Sequence, residues 1–166
     1  MTLGFEPQNN KSLVIALDAM GGDNAPAIVI DGAALAKGRY PEVRYIFFGD
    51  EAKLAPMIAH HSELKTCSEI RHTPDVIPSD MKPSLALRQG RNSSMRLAIN
   101  AVSDGEACSV VSAGNTGALM ATAKFVLRML PGIDRPAIAT LLPTQTGETV
   151  MLDLGANIEC DAENLV

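Results

Sequence analysis

Short continuous apolar runs alternate along the chain with longer stretches in which apolar positions recur every three or four residues. Ser12 to Leu17 (SLVIAL) is a compact apolar run bounded by polar residues, the pattern of a strand buried on both faces of a parallel sheet. The loop DAMGGDN follows. APAIVIDGAALAKG then continues at helical spacing to Gly38, with Asn24 as the expected N-cap and Pro26 inside the first turn. The pattern repeats with VRYIFF (Val43 to Phe48) as a strand, Glu51 to His60 as a helix and a weaker strand from Cys67 to His72. The loop TPDVIPSDMKP leads to one long helix from Ser84 to about Val102, interrupted in propensity by Gly90. Ala107 to Val111 is the next strand and Thr116 to Leu130 the next helix, whose Leu119, Ala123, Val126, Leu127 and Leu130 share one face. AIATLLP and TVMLDLG are two strands joined by Thr-Gln-Thr-Gly-Glu, a spacing that suits antiparallel pairing.

Strands alternating with helices imply an α/β fold: helices packed on both sides of a mostly parallel sheet. Residues 1–11 are expected to be a flexible N-terminal segment, and 12–166 the first portion of a single α/β fold. Asp161 resembles the N-cap of a further helix, DAENLV, which stops within its second turn. A helix that short buries little apolar surface, so the sequence is expected to be part of something longer.

Composition narrows the possibilities. Of 166 residues, 46% are hydrophobic and 20% charged, a globular balance without an apolar run long enough to span a bilayer. The polar start MTLGFEPQNNKSLV lacks the basic and apolar regions of a secretory signal, which makes a cytoplasmic location the default. Cys67, Cys108 and Cys160 are far apart and form no metal-ligand spacing, as expected for reduced thiols. A formal net charge of -5 argues against a general nucleic-acid surface.

Three loops share one plan: an apolar strand, then small or glycine-rich polar residues, then a helix start. They are DAMGGDN (18–24), SAGNTG (112–117) and DLGAN (153–157). In an open parallel sheet such loops gather at the carboxyl ends of the strands, where ligands bind. Glycines let backbone N–H groups approach an anion, and the following helix adds unpaired donors. None matches a P-loop or a dinucleotide fingerprint, and each is also compatible with a tight turn before a capped helix. Asp18 and Asp153 at strand ends could act as bases, as metal ligands, or as acceptors for loop amides, the simplest of the three.

Between Asp80 and Asp104 the chain carries Lys82, Arg88, Arg91 and Arg96 and no acidic residue. At helical spacing the arginines lie broadly on one side, where they could meet an acidic partner, a phosphate, or only solvent. Ser93 and Ser94 within a helix suggest a use for a hydroxyl. His60, His61 and His72 complete no catalytic triad.

Taken in order, LDAMGGDNAP, KPSLALRQGRNSSM, VVSAGNTGALMA, GIDRPA and MLDLGANIECDAENLV resemble the bacterial acyl-ACP:phosphate acyltransferase family of phospholipid synthesis, in which ACP is acyl carrier protein. The resemblance covers nearly all of the chain after Ser12. It implies a three-layer α/β/α fold like that of isocitrate and isopropylmalate dehydrogenases, usually as a homodimer. It also implies a reaction in which inorganic phosphate attacks the thioester of long-chain acyl-ACP, giving acyl phosphate and ACP. No metal, organic cofactor or nucleic acid is implied. Membrane association is implied, with a glycerol-3-phosphate acyltransferase taking the product.

By this resemblance Asp18, Gly21, Gly22, Asp23 and Asn24 form one wall of the active cleft. Ser112, Gly114, Asn115, Thr116 and Gly117 form another, and Asp153, Gly155 and Asn157 a third. Asn115, Ser112 and Asp18 are the catalytic candidates, while Lys82, Ser84, Arg88 and Ser94 are candidates for phosphate or ACP contact. Family members are about twice as long as this chain. The competing readings are a dehydrogenase of the same superfold, which would need a dinucleotide site and clustered aspartates, and a non-catalytic scaffold that binds ACP or lipid-synthesis enzymes.

Overall fold

A computed structural model describes residues 13–133 and 136–152. The chain divides at Leu127 and Arg128 into two compact units. The first holds a four-stranded parallel sheet: β1 (Val14–Asp18), β2 (Arg44–Gly49), β3 (Ser68–His72) and β4 (Ser109–Val111), in the order β3-β2-β1-β4. Its helices are α1 (Ala27–Arg39), α2 (Glu51–Ile58), α3 (Pro83–Gln89), α4 (Ser94–Ser103) and α5 (Thr116–Leu127). The second unit contains an antiparallel hairpin of β5 (Ala139–Pro143) and β6 (Glu148–Leu152), with Leu141 opposite Val150. The hairpin agrees with the expectation from the sequence; the N-terminal segment and residues 153–166 lie outside the described residues.

The alternation of side chains along the central strands sorts the layers. Leu17, Tyr45 and Phe47 point to one face, where Ile30, Ala33 and Ala34 of α1 and Leu54 and Ile58 of α2 cover them. Ala16, Ile46 and Phe48 point to the other and pack on Ala98 and Ala101 of α4. Outside that layer, Ala86 of α3, Met95 and Ile99 of α4 and Ala118 of α5 form a further cluster with Ile77. The fold is thus three-layered, α/β/α, as the sequence pattern requires.

Four expectations about helices change. The long helix expected from Ser84 is two helices, because the chain turns at Gly90 and Ser93 opens α4 as a new N-cap, its Oγ accepting from the Arg96 N–H at 3.2 Å. Asn24 is not the cap of α1: Pro26 occupies that position without a side-chain bond, and Asn24 contributes only its carbonyl, which accepts from the Ile28 N–H. Helix α2 ends at Ile58 rather than His60. Helix α5 stops at Leu127, where Arg128 takes a positive φ of 65°. Leu119, Ala123 and Val126 pack inward as expected, whereas Leu127 and Leu130 are exposed.

Strand order explains where a ligand site arises. From β1 the chain moves outward through β2 and β3, then returns to place β4 on the other side of β1. The segments leaving β1 and β4 therefore diverge, α1 covering one face and α5 joining the helices of the other. A crevice opens at the carboxyl ends of the two strands, the position at which open α/β sheets bind ligands.

Candidate active site

Asp18, the last residue of β1, is the side chain around which this crevice is built. It is 1% exposed. Ser94 Oγ, from the first residue of α4, donates to its Oδ1 at 2.5 Å, and Ser112 Oγ, just past β4, donates to its Oδ2 at 2.7 Å. The carboxylate is thus held by two hydroxyls rather than by the loop amides anticipated from sequence. Ser112 Oγ in turn accepts from the Gly114 N–H at 3.1 Å, so one chain of bonds links the ends of β1, β4 and α4.

Glycine permits the two strand-end loops to touch. A Cβ on Gly21 would lie 2.4 Å from Asp18 Oδ2 and 3.0 Å from the Gly114 nitrogen. Gly22 has φ +104°, and a Cβ there would meet the Ala113 carbonyl oxygen at 2.9 Å. The turns at Gly22 and Gly114 therefore stand side by side, as the shared plan of the two loops predicts. Gly155, with Asp153 and Asn157, lies outside the described residues.

Asn115 completes the junction. Its Oδ1 accepts from the Ala118 N–H at 2.9 Å, capping α5. Its Nδ2 points at three carbonyls of the preceding loop, those of Pro78 at 3.3 Å, Ser79 at 3.0 Å and Met81 at 2.8 Å. The side chain fastens the loop at 76–81 to the start of the helix. The cap leaves the N–H groups of Thr116 and Gly117 in the first turn of α5, where no intrahelical partner exists.

These segments enclose a cavity of about 550 Å³. Gly22, Asp23, Gly114, Asn115, Thr116 and Gly117 line it together with Val76 to Ser79. Asn24 is exposed and outside the lining. Asp18 and Ser94 are buried and outside its lining, and Lys82 is exposed at the N-cap of α3. Ser84 and Arg88 line a different depression, with Arg91 and Arg96. Sequence reasoning missed the wall from Val76 to Ser79; its signal was the length of TPDVIPSDMKP, more than a simple connection needs.

Among the described residues no group of three or more His, Cys, Asp or Glu side chains converges as a metal site. Groups whose acidity departs from its ordinary value, Tyr45, Glu63 and Arg71, do not line the cavity. No helix among the described residues is long and apolar enough to cross a membrane.

The model of a family described as fatty acid synthesis protein matches residues 13–166. The chain belongs to this family. Among curated members of known name, it is 64% identical over 152 residues to a phosphate acyltransferase of Rhodospirillum centenum, which covers 92% of the chain and 43% of that protein. It is 61% identical over 157 residues to the phosphate acyltransferase of Rhodospirillum rubrum, covering 95% and 45%, and 52% identical over 158 residues to that of Granulibacter bethesdensis, covering 95% and 43%. The chain thus spans less than half the length of these fatty acid synthesis family members. Its cavity, switch-point loops and buried Asp18 cluster fall within the matched region.

Proposed function

We propose that this chain forms the phosphate-binding side of an enzyme that transfers the acyl group of acyl-ACP to inorganic phosphate. The supporting observation is the cavity at the switch point, lined by Thr116 and Gly117 at the start of α5 together with the Gly22 and Gly114 turns. Backbone donors and the positive end of a helix favour an anion there without a lysine or arginine in the lining.

The chemistry needs no protein nucleophile. An oxygen of hydrogen phosphate attacks the thioester carbonyl carbon, the C–S bond breaks, the phosphate's proton ends on the departing thiol, and acyl phosphate forms. Catalysis then rests on holding phosphate in line with the carbonyl and on stabilising the oxyanion. Asp23 is an acidic side chain in the lining. A carboxylate beside a phosphate is tolerated when it accepts a hydrogen bond from the phosphate O–H, which gives Asp23 the role of taking that proton and passing it to the departing thiolate. Asp18, Ser94, Ser112 and Asn115 act as positioning residues that hold the two turns and the 76–81 wall in register.

The acyl phosphate product suits transfer to glycerol 3-phosphate by a membrane acyltransferase, which places the protein at the cytoplasmic membrane face. As in the resemblance above, the working form is a homodimer.

The test is incubation of the protein at its full encoded length with palmitoyl-ACP, with and without phosphate. Phosphate-dependent release of free ACP, with acyl phosphate trapped by hydroxylamine, is expected. Unchanged acyl-ACP would leave the scaffold reading in its place.

A further inference from the structure

A second concave surface lies on the outer helices, away from the switch-point cavity. It is a basin of about 720 Å³ formed by α3, α4, α5 and the turn between α3 and α4. Arg88, Arg91 and Arg96 line it with Asn100, Leu87 and Phe125, and no carboxylate is in the lining. Arg88 and Arg91 are exposed and have no ion pair among the described residues. Arg96 is fixed in place: its Nε donates to Asn100 Oδ1 at 3.1 Å, and its guanidinium carbon stands 5.4 Å from the centre of the Phe125 ring. Phe125 is itself 67% exposed, so the Arg96 guanidinium leaves much of its ring open to solvent.

This concentration of positive charge runs against the chain as a whole, which carries a net charge of -5. Three unneutralised guanidiniums repel one another, and an exposed aromatic ring among them adds a hydration cost. Both are relieved by a partner that brings carboxylates around an apolar side chain. Arginine rather than lysine supplies two of the exposed cations, and its planar fork matches carboxylates in pairs. Concavity favours a protruding protein helix over a flat lipid surface, which is met best by basic residues that project.

We propose that this basin is the docking surface for an acidic amphipathic helix of a partner protein. Resting on the acyltransferase reading above, that partner is the carrier protein that brings the thioester. The two sites share α5, whose first residue, Thr116, lines the cavity and whose Phe125 lines the basin. At about 1.5 Å of rise per residue, these residues are separated by about 13.5 Å along the helix. A partner docked in the basin would therefore lie beside the cavity without filling it.

The test uses the protein at its full encoded length and acyl carrier protein as the probe. Isothermal calorimetry measures binding of unacylated carrier, and steady-state kinetics measure KM for palmitoyl-ACP. Arg88→Glu with Arg91→Glu, both on exposed residues, is expected to weaken carrier binding at least 10-fold and raise KM by a similar factor, with kcat within about twofold of wild type. Affinity should fall steeply with salt. Arg91→Gln provides a milder variant should the double reversal melt early, and is expected to raise KM about threefold. A carrier with acidic helix residues changed to lysine should regain affinity for the Glu variant.

Wild-type affinity and KM in a folded double variant would overturn the docking assignment while leaving the acyltransferase reading intact. Loss of phosphate-dependent ACP release in the wild type would overturn that reading, and calorimetry would still decide the docking. Variants that detach from phosphatidylglycerol vesicles yet keep their affinity for carrier would assign the basin to lipid and refute the proposal.

Discussion

Ser94 Oγ donates to Asp18 Oδ1 at 2.5 Å across the interior, joining the first residue of α4 to the last residue of β1. Both residues are 1% exposed. A buried carboxylate is tolerated only when its oxygens are paired, and here each oxygen has one serine. Ser94→Ala and Ser112→Ala are each expected to cost about 1–3 kcal/mol, the penalty for leaving a buried acceptor unsatisfied. The double variant should cost a different amount from the sum, because both hydroxyls serve one group. Urea unfolding with an unchanged m-value checks this. A Ser94→Ala variant as stable as wild type would mean that water takes the place of the hydroxyl.

The contact between the two strand-end loops predicts opposite outcomes for two glycines. In Gly21→Ala the new methyl would overlap Asp18 Oδ2, which neither the buried carboxylate nor the neighbouring Gly114 backbone can vacate cheaply. Destabilisation of about 1–3 kcal/mol is expected, the usual cost of overpacking, together with a higher KM for phosphate. Gly32 lies within α1 with open space around it. Gly32→Ala should therefore stabilise by about 0.4–1 kcal/mol, through helix propensity and reduced freedom of the unfolded chain. Thermal melts of the two variants should move in opposite directions.

Tyr45 offers a stability prediction away from the cavity. It is 4% exposed on β2, and its hydroxyl is buried without a hydrogen-bond partner among the described residues. Burial, reinforced by Cys67 and Glu42, pushes its phenol above the ordinary tyrosine range, so the group stays neutral at physiological pH. Removing an unpaired buried hydroxyl relieves a desolvation penalty. Tyr45→Phe is expected to be neutral or stabilising by up to about 1 kcal/mol, with the ring still packed at 6.2 Å from Phe47. A loss above ~1 kcal/mol would reveal a partner for the hydroxyl.

The sheet was legible because its central strands are short and mostly apolar. VRYIFF is short and bounded by turn residues, the mark of a strand, and the structure places Tyr45 and Phe47 in one helix layer and Ile46 and Phe48 in the other. The adjacency of the Gly22 and Gly114 turns was legible from the shared plan of the two loops. What local sequence could not give were bonds between residues remote in the chain. Ser94 and Asn115 are named as site candidates by resemblance, yet their partners, Asp18 for the one and the carbonyls of Pro78, Ser79 and Met81 for the other, are visible only in the structure. The break at Gly90 had the opposite cause. A helix pattern continues through it, yet Ser93 and Ser94 gain more from capping α4 and binding Asp18 than from lying in one continuous helix.

Asn115 allows positioning to be separated from direct catalysis. Its Oδ1 caps α5, and its Nδ2 is directed at three loop carbonyls, which exhausts the two hydrogens of the amide. Serine is as good an N-cap as asparagine but too short to reach that loop. Asn115→Ser should keep α5 capped, with little loss of stability, while releasing the 76–81 wall. Faster amide exchange at residues 76–81 and a KM for phosphate raised about 10-fold are expected. Asn115→Ala loses the cap as well; its turnover should fall at least ~10-fold, with a further stability cost of about 0.5–2 kcal/mol. Were Asn115 instead a direct donor to the oxyanion, both variants would lower kcat with KM for phosphate and exchange at the loop unchanged. Measuring KM, kcat and exchange on the same two variants therefore decides whether this amide touches the reacting atoms or shapes the wall around them.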